Sequence, residues 1–255
     1  MRVSLPEEFL TRPLAHRALH DVTAGRPENS RAAIRAAIVA GYGIEIDVQM
    51  SADESAMVFH DDNLDRLAMA TGPVRVQTAC ALEKIELRGG SEAIPRLAEV
   101  LELVAGQVPL LIEIKDQDGE MGANVGALER AVTADLAGYD GPIAVMSFNP
   151  NSVRHMADLC PEIPRGLVTD AYQVQDWPLP EETCAFLRGI PDYDAAGCSF
   201  ISHNHKDLRR PRVMELKAAG AAILCWTVKS PQEEERARQI AQNVTFEQYL
   251  APFPA

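Results

Sequence analysis

The chain is short of basic residues, of aromatic residues and of long apolar runs. It has 24 Lys or Arg against 37 Asp or Glu, a net charge of −13, and only 5% aromatic residues. This excess of negative charge argues against nucleic acid or an anionic membrane as a partner. The longest uncharged apolar stretch in the C-terminal half, residues 218–226, is far shorter than the roughly 20 residues of a membrane span. We therefore expect no stable membrane insertion.

The cysteine spacing and the N-terminal residues indicate the cellular compartment, and a missing nucleotide-binding motif bears on the fold. The five cysteines are widely spread and none forms a Cys-x-x-Cys pair, so free thiols in a reducing cytoplasm are the simplest interpretation. The N-terminus lacks the basic-then-apolar pattern of a signal peptide, which also favours a cytoplasmic protein. No Gly-x-Gly-x-x-Gly follows the first predicted strand, which argues against a doubly wound dinucleotide-binding sheet. The sequence leaves the oligomeric state open, including a homo-oligomer.

Short apolar runs alternate with helical patterns along the chain. Eight strand–helix repeats are the pattern of a (β/α)8 TIM barrel, and about 250 residues is an ordinary length for one such domain. The count requires that residues 56–59 form a hairpin return on the second strand. Residues 61–95 are less regular and are predicted to form a small insertion after that strand, within a single domain of residues 1–255. The predicted barrel strands are residues 13–16, 43–50, 110–115, 143–148, 166–168, 199–201, 222–228 and 244–246.

The segments between these strands are predicted to be mostly helical. A Pro-rich connection over residues 177–191 is the exception. The predicted helices are residues 31–40, 95–104, 122–137, 151–160, 211–219 and 231–242.

Four acidic or basic residues (Asp, Glu or Lys) lie inside predicted strands, where an unpaired charge is costly. Glu45 and Asp47 are two residues apart and leave the same face of their strand, and Glu113 and Lys115 repeat this spacing in the next barrel strand. Three carboxylates converging at a barrel mouth would repel one another unless a hard divalent cation bound them through oxygen. A buried salt-bridge cluster with Lys115 explains the spacing equally well. The pattern alone leaves both interpretations open.

Two histidines are predicted at the same mouth, each followed by a charged residue. His16 ends the first strand and precedes Arg17, while His60 ends the hairpin return and precedes Asp61. Two imidazoles beside a metal fit a general acid and a general base near neutral pH. Arg17 and Lys115 bring positive charge to a strongly negative protein, which suits a phosphate group. The alternative is that these strand-end histidines are structural.

A series of short motifs resembles those of the glycerophosphodiester phosphodiesterase family. Each motif is weak alone, but together they follow the family's order and cover nearly the whole chain. The motifs are His16-Arg17, Pro27-Glu28-Asn29, Glu45-Ile46-Asp47-Val48, Val58-Phe59-His60-Asp61, Leu64-Asp65-Arg66, Ile94-Pro95-Arg96-Leu97-Ala98-Glu99-Val100-Leu101, Ile112-Glu113-Ile114-Lys115, Ser147-Phe148 and Trp226-Thr227-Val228.

The resemblance implies a barrel hydrolase acting on a small-molecule phosphodiester. Its reaction would split glycerophosphodiesters into glycerol 3-phosphate and an alcohol. The resemblance also implies a divalent cation, Mg²⁺ or Ca²⁺, held by the counterparts of Glu45, Asp47 and Glu113.

The resemblance further assigns roles to the basic residues. The family's catalytic pair falls on His16 and His60, and its phosphate-contacting residues fall on Arg17 and Lys115. In the related phospholipase-C-like mechanism, a neighbouring substrate hydroxyl attacks phosphorus and water then opens the cyclic phosphate. Trp226 is predicted either to pack in the core or to form a substrate-binding wall against the glycerol or headgroup.

Other polar residues near the predicted mouth carry simpler expectations. Glu28 is expected to pair with Arg17 in preference to a solvated role. Asn29 or Ser30 is expected to cap the following helix, and a cap is favoured over a ligand for Asn29. His203 and His205 are expected in a solvent-exposed loop after the sixth strand, in preference to contact with substrate or a second ion.

The sequence also departs from the family pattern. Ala18 replaces the usual glycine after His-Arg, which predicts a narrowed or reshaped phosphate pocket. Asn243-Val244-Thr245-Phe246-Glu247 stands where the family ends in Gly-Val-Asp-Gly-Ile-Ile-Thr-Asp. These departures motivate a second hypothesis, a homologue that binds phosphodiesters without cleaving them. A third, lysophospholipase D-type action on a lipid, is motivated by the aromatic residues within 170–191, which could form an apolar groove.

Overall fold

The chain folds into a closed barrel of eight parallel strands. The computed structural model describes residues 2–254. The first strand, β1 (Leu14–Ala15), pairs in parallel with β2 (Gly43–Met50) on one side and with β9 (Asn243–Phe246) on the other, and this closes the sheet. The predicted TIM barrel is therefore confirmed. The remaining barrel strands are β4 (Leu110–Ile114), β5 (Ile143–Ser147), β6 (Arg165–Thr169), β7 (Phe200–Asn204) and β8 (Ala222–Val228).

The remaining strand, β3 (Ala56–Val58), is the predicted hairpin return. It pairs antiparallel with the end of β2, with Val58 opposite Val48. The backbone continues this pairing one residue further, since Phe59 N–H donates to Asp47 O at 3.0 Å. His60 is thereby carried to the C-terminal mouth of the barrel, although β3 is not a barrel strand.

Residues 61–94, within the segment 61–95 predicted as an insertion, form a small lobe beside the mouth. The lobe contains a short helix, α3 (Ala79–Leu82), and has its own apolar core. Its buried side chains pack on Met57 and Phe59 rather than on the main core of the barrel. The core of the lobe consists of Met57, Phe59, Leu64, Ala68, Val74, Ala79, Leu82, Leu87 and Ile94.

The other helices alternate with the barrel strands. Most of them pack on the outer faces of the strands and bury a continuous apolar layer, whereas the first lies at the N-terminal end of the barrel and the helix over residues 181–188 packs in a separate apolar cluster. Their bounds are α1 (Glu8–Thr11), α2 (Arg31–Ala40), α4 (Leu97–Val104), α5 (Ala127–Leu136), α6 (Pro150–Leu159), α7 (Glu181–Arg188), α8 (Pro211–Ala218) and α9 (Pro231–Ala237). No helix within residues 2–254 has the length and apolar character needed to cross a membrane.

Three helical predictions differ from the structure. The predicted helix over 122–137 begins only at Ala127, because Asp118 Oδ2 accepts the backbone N–H of Asn124 at 3.2 Å and holds the preceding segment as a loop. α9 is shorter than the predicted 231–242. The Pro-rich stretch 177–191 contains α7, because its prolines flank the helix instead of interrupting it.

Inside the barrel, apolar side chains fill the end opposite the mouth. Leu14, Leu111, Phe200 and Leu224 pack there with Phe9 of α1, and all five are fully buried. Asn243, the first residue of β9, donates side-chain hydrogen bonds to the carbonyls of Phe9 and Arg12 at 2.8 and 2.6 Å. These bonds hold α1 across the N-terminal end, so α1 closes the barrel from below.

The cysteines take no part in this scaffold as cross-links. All five are free thiols, as predicted, and Cys80 alone is exposed.

Phe9→Ala tests whether α1 stabilises the barrel. Removing a fully buried phenyl group leaves a cavity, and we expect the free energy of unfolding to fall by about 3–5 kcal/mol in urea titrations. The control is Phe186→Ala in α7, where the side chain is 54% exposed and the change should stay within about 0.5 kcal/mol. Equal effects of the two substitutions would contradict the role given to α1.

Candidate active site

Three carboxylates meet at the mouth because of the register of two strands. Asp47 of β2 lies opposite Glu113 of β4, and Glu45 lies two residues earlier on the same face as Asp47. All three side chains are buried, and one oxygen from each lies within 4.8 Å of the others. The structure thus brings together the three predicted acids in a volume fit for one ion.

Lys115 neutralises part of this acidic cluster. Its Nζ lies 2.7 Å from Asp47 Oδ1 and 2.5 Å from Glu113 Oε1. Although burial opposes the shift, the ammonium lowers the pKa of Asp47 well below its usual range. The salt bridges that the strand spacing allowed are therefore present.

Glu45 forms no salt bridge with a basic side chain among the described residues. Its Oε2 accepts a hydrogen bond from the backbone N–H of Arg17 at 2.8 Å. Burial, together with the charges of Asp47 and Glu113, raises the pKa of Glu45 well above its usual range. Negative charge therefore remains uncompensated in the cluster beyond what Lys115 neutralises, and the all-oxygen donor set matches the preference of Mg²⁺ and Ca²⁺. These residues fit a divalent cation.

His16 is held by the carboxylate of the residue that follows the last barrel strand. Its Nδ1 lies 2.7 Å from Oε2 of Glu247, which directly follows β9, and Lys229 Nζ lies 2.8 Å from the other oxygen. Burial lowers the pKa of His16, so the ring is neutral at pH 7. Because Nδ1 carries the proton that faces Glu247, Nε2 is left as a free acceptor. This role of Glu247 was not predicted from the sequence. The available signal was that the segment 243–247 ends in an acid, as the corresponding family motif ends in Asp.

His60 is held in the same way from the lobe. Its Nδ1 lies 2.7 Å from Oδ1 of Asp61, the next residue in the chain. Arg66 donates to both oxygens of Asp61 at 2.6 and 2.7 Å and to both oxygens of Glu28 at 3.0 and 3.1 Å. Glu28 in turn accepts from Arg17 at 2.6 Å, which confirms the predicted pair. This ion-pair chain joins the lobe to the loop after β1.

The predicted site residues share one cavity of about 80 Å³. Seven of the eight line it, and the eighth, Asp47, contacts Lys115. Trp226 forms part of the apolar side, where its ring meets Phe148 edge-on at 5.6 Å and its Nε1 donates to Ser202 O at 3.0 Å. Trp226 is half-buried, lines the cavity and also packs against the apolar cluster inside the barrel. The seven lining residues are His16, Arg17, Glu45, His60, Glu113, Lys115 and Trp226.

The cap prediction for Asn29 is wrong. Ser30 caps α2, its hydroxyl accepting from Ala33 N–H at 3.1 Å. Asn29 has a left-handed backbone with φ of 59°. This turns its amide towards the acidic cluster, where Nδ2 donates to Asp47 Oδ2 at 2.9 Å. Asn29 thus orients one of the three acids.

The exposed-loop prediction for His203 is also wrong. β7 extends to Asn204, so His203 lies within the strand and is fully buried. Its Nδ1 lies 2.7 Å from Thr169 Oγ1, and its Nε2 lies 3.3 Å from Asp207 Oδ2. His205 follows the strand and lines a separate cleft.

Ala18 affects the site through the backbone. It has a left-handed φ of 65°, and its N–H donates to Glu45 O at 2.9 Å. Its side chain is buried in the layer between barrel and helices and is not among the described residues that line the cavity. The predicted narrowing of the pocket by the Ala18 methyl group is therefore not seen.

The fold and the cavity together are those of a TIM-barrel enzyme, with acids and histidines at the C-terminal ends of the strands. The model of the Glycerophosphoryl diester phosphodiesterase family matches residues 16–245. The chain belongs to this family.

Named relatives agree with this assignment, and a solved structure shares the fold. YhdW of Bacillus subtilis (strain 168), provisionally named a glycerophosphodiester phosphodiesterase, is 29% identical over 215 residues, which cover 80% of this chain and 82% of YhdW. The glycerophosphodiester phosphodiesterase of Caldanaerobacter subterraneus is 30% identical over 159 residues, covering 59% and 65%. A phosphodiesterase of Oleispira antarctica, solved with its product sn-glycerol-3-phosphate, has the same fold with a TM-score of 0.77, 24% identity and 94% of each chain covered.

Substitutions of Asn29 test whether it orients Asp47. Asn29→Ala removes the hydrogen bonds to a buried carboxylate, which costs about 1–3 kcal/mol, and adds about 1 kcal/mol for a left-handed alanine. Asn29→Gly removes the same hydrogen bonds without the backbone cost. We expect both variants to be less stable than the wild type in urea unfolding, and the alanine variant to be the less stable of the two. Wild-type stability in both would contradict the assignment.

Proposed function

We propose that the chain hydrolyses glycerophosphodiesters to glycerol 3-phosphate and an alcohol with the help of a divalent cation, using His16 and His60 as an acid–base pair. One observation carries the proposal. Two imidazoles, each bound through Nδ1 to a carboxylate, line the same cavity as a buried cluster of three acids. A protein that only binds phosphodiesters has no need of such a pair, which ranks the non-catalytic hypothesis below hydrolysis.

His16 is proposed as the first base. Its neutral ring has Nε2 free, because Nδ1 is bound to Glu247. Nε2 takes the proton of the substrate hydroxyl next to the phosphate, and that oxygen attacks phosphorus. Glu247 stabilises the positive charge that develops on the ring, so it acts as a positioning residue.

His60 is proposed as the acid of the same step. As the bond between phosphorus and the leaving oxygen breaks, Nε2 of His60 gives that oxygen a proton and releases the alcohol. Water then opens the cyclic phosphate with the two histidines in exchanged roles, and the product is glycerol 3-phosphate. Asp61 holds the ring of His60 through Nδ1.

Arg17 and Lys115 are proposed to bind the phosphate. Both line the cavity, and both are held by acids, Arg17 by Glu28 and Lys115 by Asp47 and Glu113. A cation bound to Glu45, Asp47 and Glu113 would supply further charge neutralisation to the phosphate oxygens.

Lysophospholipase D-type action is a second candidate, supported by a row of aromatic side chains. Phe148, at the cavity, lies 5.1 Å from the ring of Trp177, which lies 4.8 Å from that of Tyr172. Phe148 and Trp177 are half-buried, Tyr172 is buried, and Val174 and Phe186 of the same segment are exposed. An acyl chain could follow this apolar row.

Turnover with a divalent ion tests the proposed reaction. With glycerophosphocholine or glycerophosphoethanolamine and Mg²⁺ or Ca²⁺, we expect glycerol 3-phosphate in a ³¹P NMR assay. A chelator should abolish the activity and one of the two ions should restore it. Glu113→Gln should lose the response to the ion, whereas the exposed Glu182→Gln in α7 should keep it.

Two outcomes of this assay would change the proposal. Faster release of choline from lysophosphatidylcholine than from glycerophosphocholine would favour the lysophospholipase D-type reaction. Absence of turnover with every glycerophosphodiester and lysophospholipid would contradict hydrolysis.

Substitution of each histidine tests the acid–base pair. General acid–base catalysis contributes about 10²–10⁴-fold, so we expect His16→Ala and His60→Ala each to lower kcat by that factor with a small effect on KM. His205→Ala, which lies in a separate cleft, is the control and should retain wild-type kcat. Equal kcat values for all three variants would rule out the assigned roles.

A further inference from the structure

A second group of metal-ligating side chains lies beside His16, apart from the acidic cluster. Oε2 of Glu247 lies 2.7 Å from His16 Nδ1 and 3.5 Å from His20 Nε2. The three ligand atoms all lie within 4.8 Å of one another. His20 Nε2 is buried and makes no hydrogen bond within the described residues. The buried Nε2 of His20 therefore has no hydrogen-bond partner but lies near Oε2 of Glu247, the same oxygen that contacts Nδ1 of His16.

We propose that His16, His20 and Glu247 bind a transition-metal ion of the Zn²⁺ type, and that this ion inhibits the enzyme. Two imidazole nitrogens and one carboxylate oxygen are ligands of Zn²⁺, whereas Mg²⁺ and Ca²⁺ prefer oxygen alone. The two sites therefore differ in chemistry as well as in residues.

The distances suit such an ion. Ligands at about 2.0–2.1 Å from a tetrahedral ion lie roughly 3.3 Å apart. The separation of 3.5 Å between His20 Nε2 and Glu247 Oε2 fits this value. The separation between His16 Nδ1 and Glu247 Oε2 must open by about half an ångström, because the ion replaces the hydrogen between them.

The surroundings give the ion an entry path and a fourth ligand. A cleft of about 510 Å³ reaches His20 and Glu247 from solvent, so water can complete the coordination. Lys229 binds the other oxygen of Glu247, and its side chain is 50% exposed, which leaves it free to move outward.

Binding at Nδ1 would inhibit through the tautomer of His16. A neutral imidazole has one N–H, so coordination of Nδ1 moves that proton to Nε2 without net proton release. Nε2 then has no lone pair for the substrate hydroxyl. The inhibitory part rests on the proposed role of His16 as a base, while the binding of the ion does not.

The binding is tested with Co²⁺ as a spectroscopic probe on the full chain in excess Mg²⁺. Ligation by two imidazoles gives the strong visible absorption of four-coordinate Co²⁺, which Zn²⁺ should displace, whereas an all-oxygen six-coordinate site absorbs weakly. His20→Asn and His20→Gln should lose the strong band, and His155→Asn, on the distant helix α6, should keep it. Absence of the band in the wild type would overturn the site, and so would its presence in a folded His20 variant.

The inhibition is tested by titrating Zn²⁺ into the assay with glycerophosphocholine at saturating Mg²⁺. Relative to its own activity without Zn²⁺, each His20 variant should need at least about 10–100-fold more Zn²⁺ for half inhibition than the wild type and His155→Asn. Equal sensitivity in all of them would overturn the inhibitory role. A protein that shows the Co²⁺ band but turns over no diester would contradict the proposed function and leave the metal site standing.

Discussion

The site depends on keeping three like charges buried within a few ångströms of one another. Glu45, Asp47 and Glu113 lie on adjacent parallel strands whose register cannot shift without turning each side chain to the other face. Lys115 compensates part of the charge, and the raised pKa of Glu45 marks the part that remains. The apolar packing of the barrel is what holds these acids together against their repulsion.

The polarity of the barrel interior changes along its axis, and the apolar end stabilises the fold that holds the acidic cluster. β4 contributes Leu111 to the apolar interior near α1 and Glu113, two residues later, to the mouth. The same face of one strand thus passes from an apolar cluster to the acidic cluster within two residues. Because the lower half is closed by Phe9 and its neighbours, water and ions reach the acids from one end.

The sequence predicted what depends on local spacing. Residues two apart on a strand share a face, which was enough to group Glu45 with Asp47. The same spacing of Glu113 and Lys115 in the next barrel strand was enough to place Glu113 at the same mouth. The sequence could not show that Glu247, 231 residues from His16 in the chain, would bind its Nδ1, because that contact depends on how the barrel closes.

The errors have equally physical causes. The role of Asn29 follows from a left-handed backbone, which a sequence pattern does not reveal. The burial of His203 follows from a strand that runs further than its apolar residues suggest, because Thr169 and Asp207 satisfy the ring.

The origin of His60 has a consequence for how the enzyme would fail on heating. His16 and the acids belong to the barrel and its first loop, whereas His60 sits at the base of a lobe whose core is separate from the main core. Local unfolding of such a unit takes less free energy than melting the whole protein. The distance between the two imidazoles therefore depends on the less stable of two cooperative units, the lobe and the barrel. If the lobe unfolds first, the enzyme loses activity while the eight-stranded barrel stays folded.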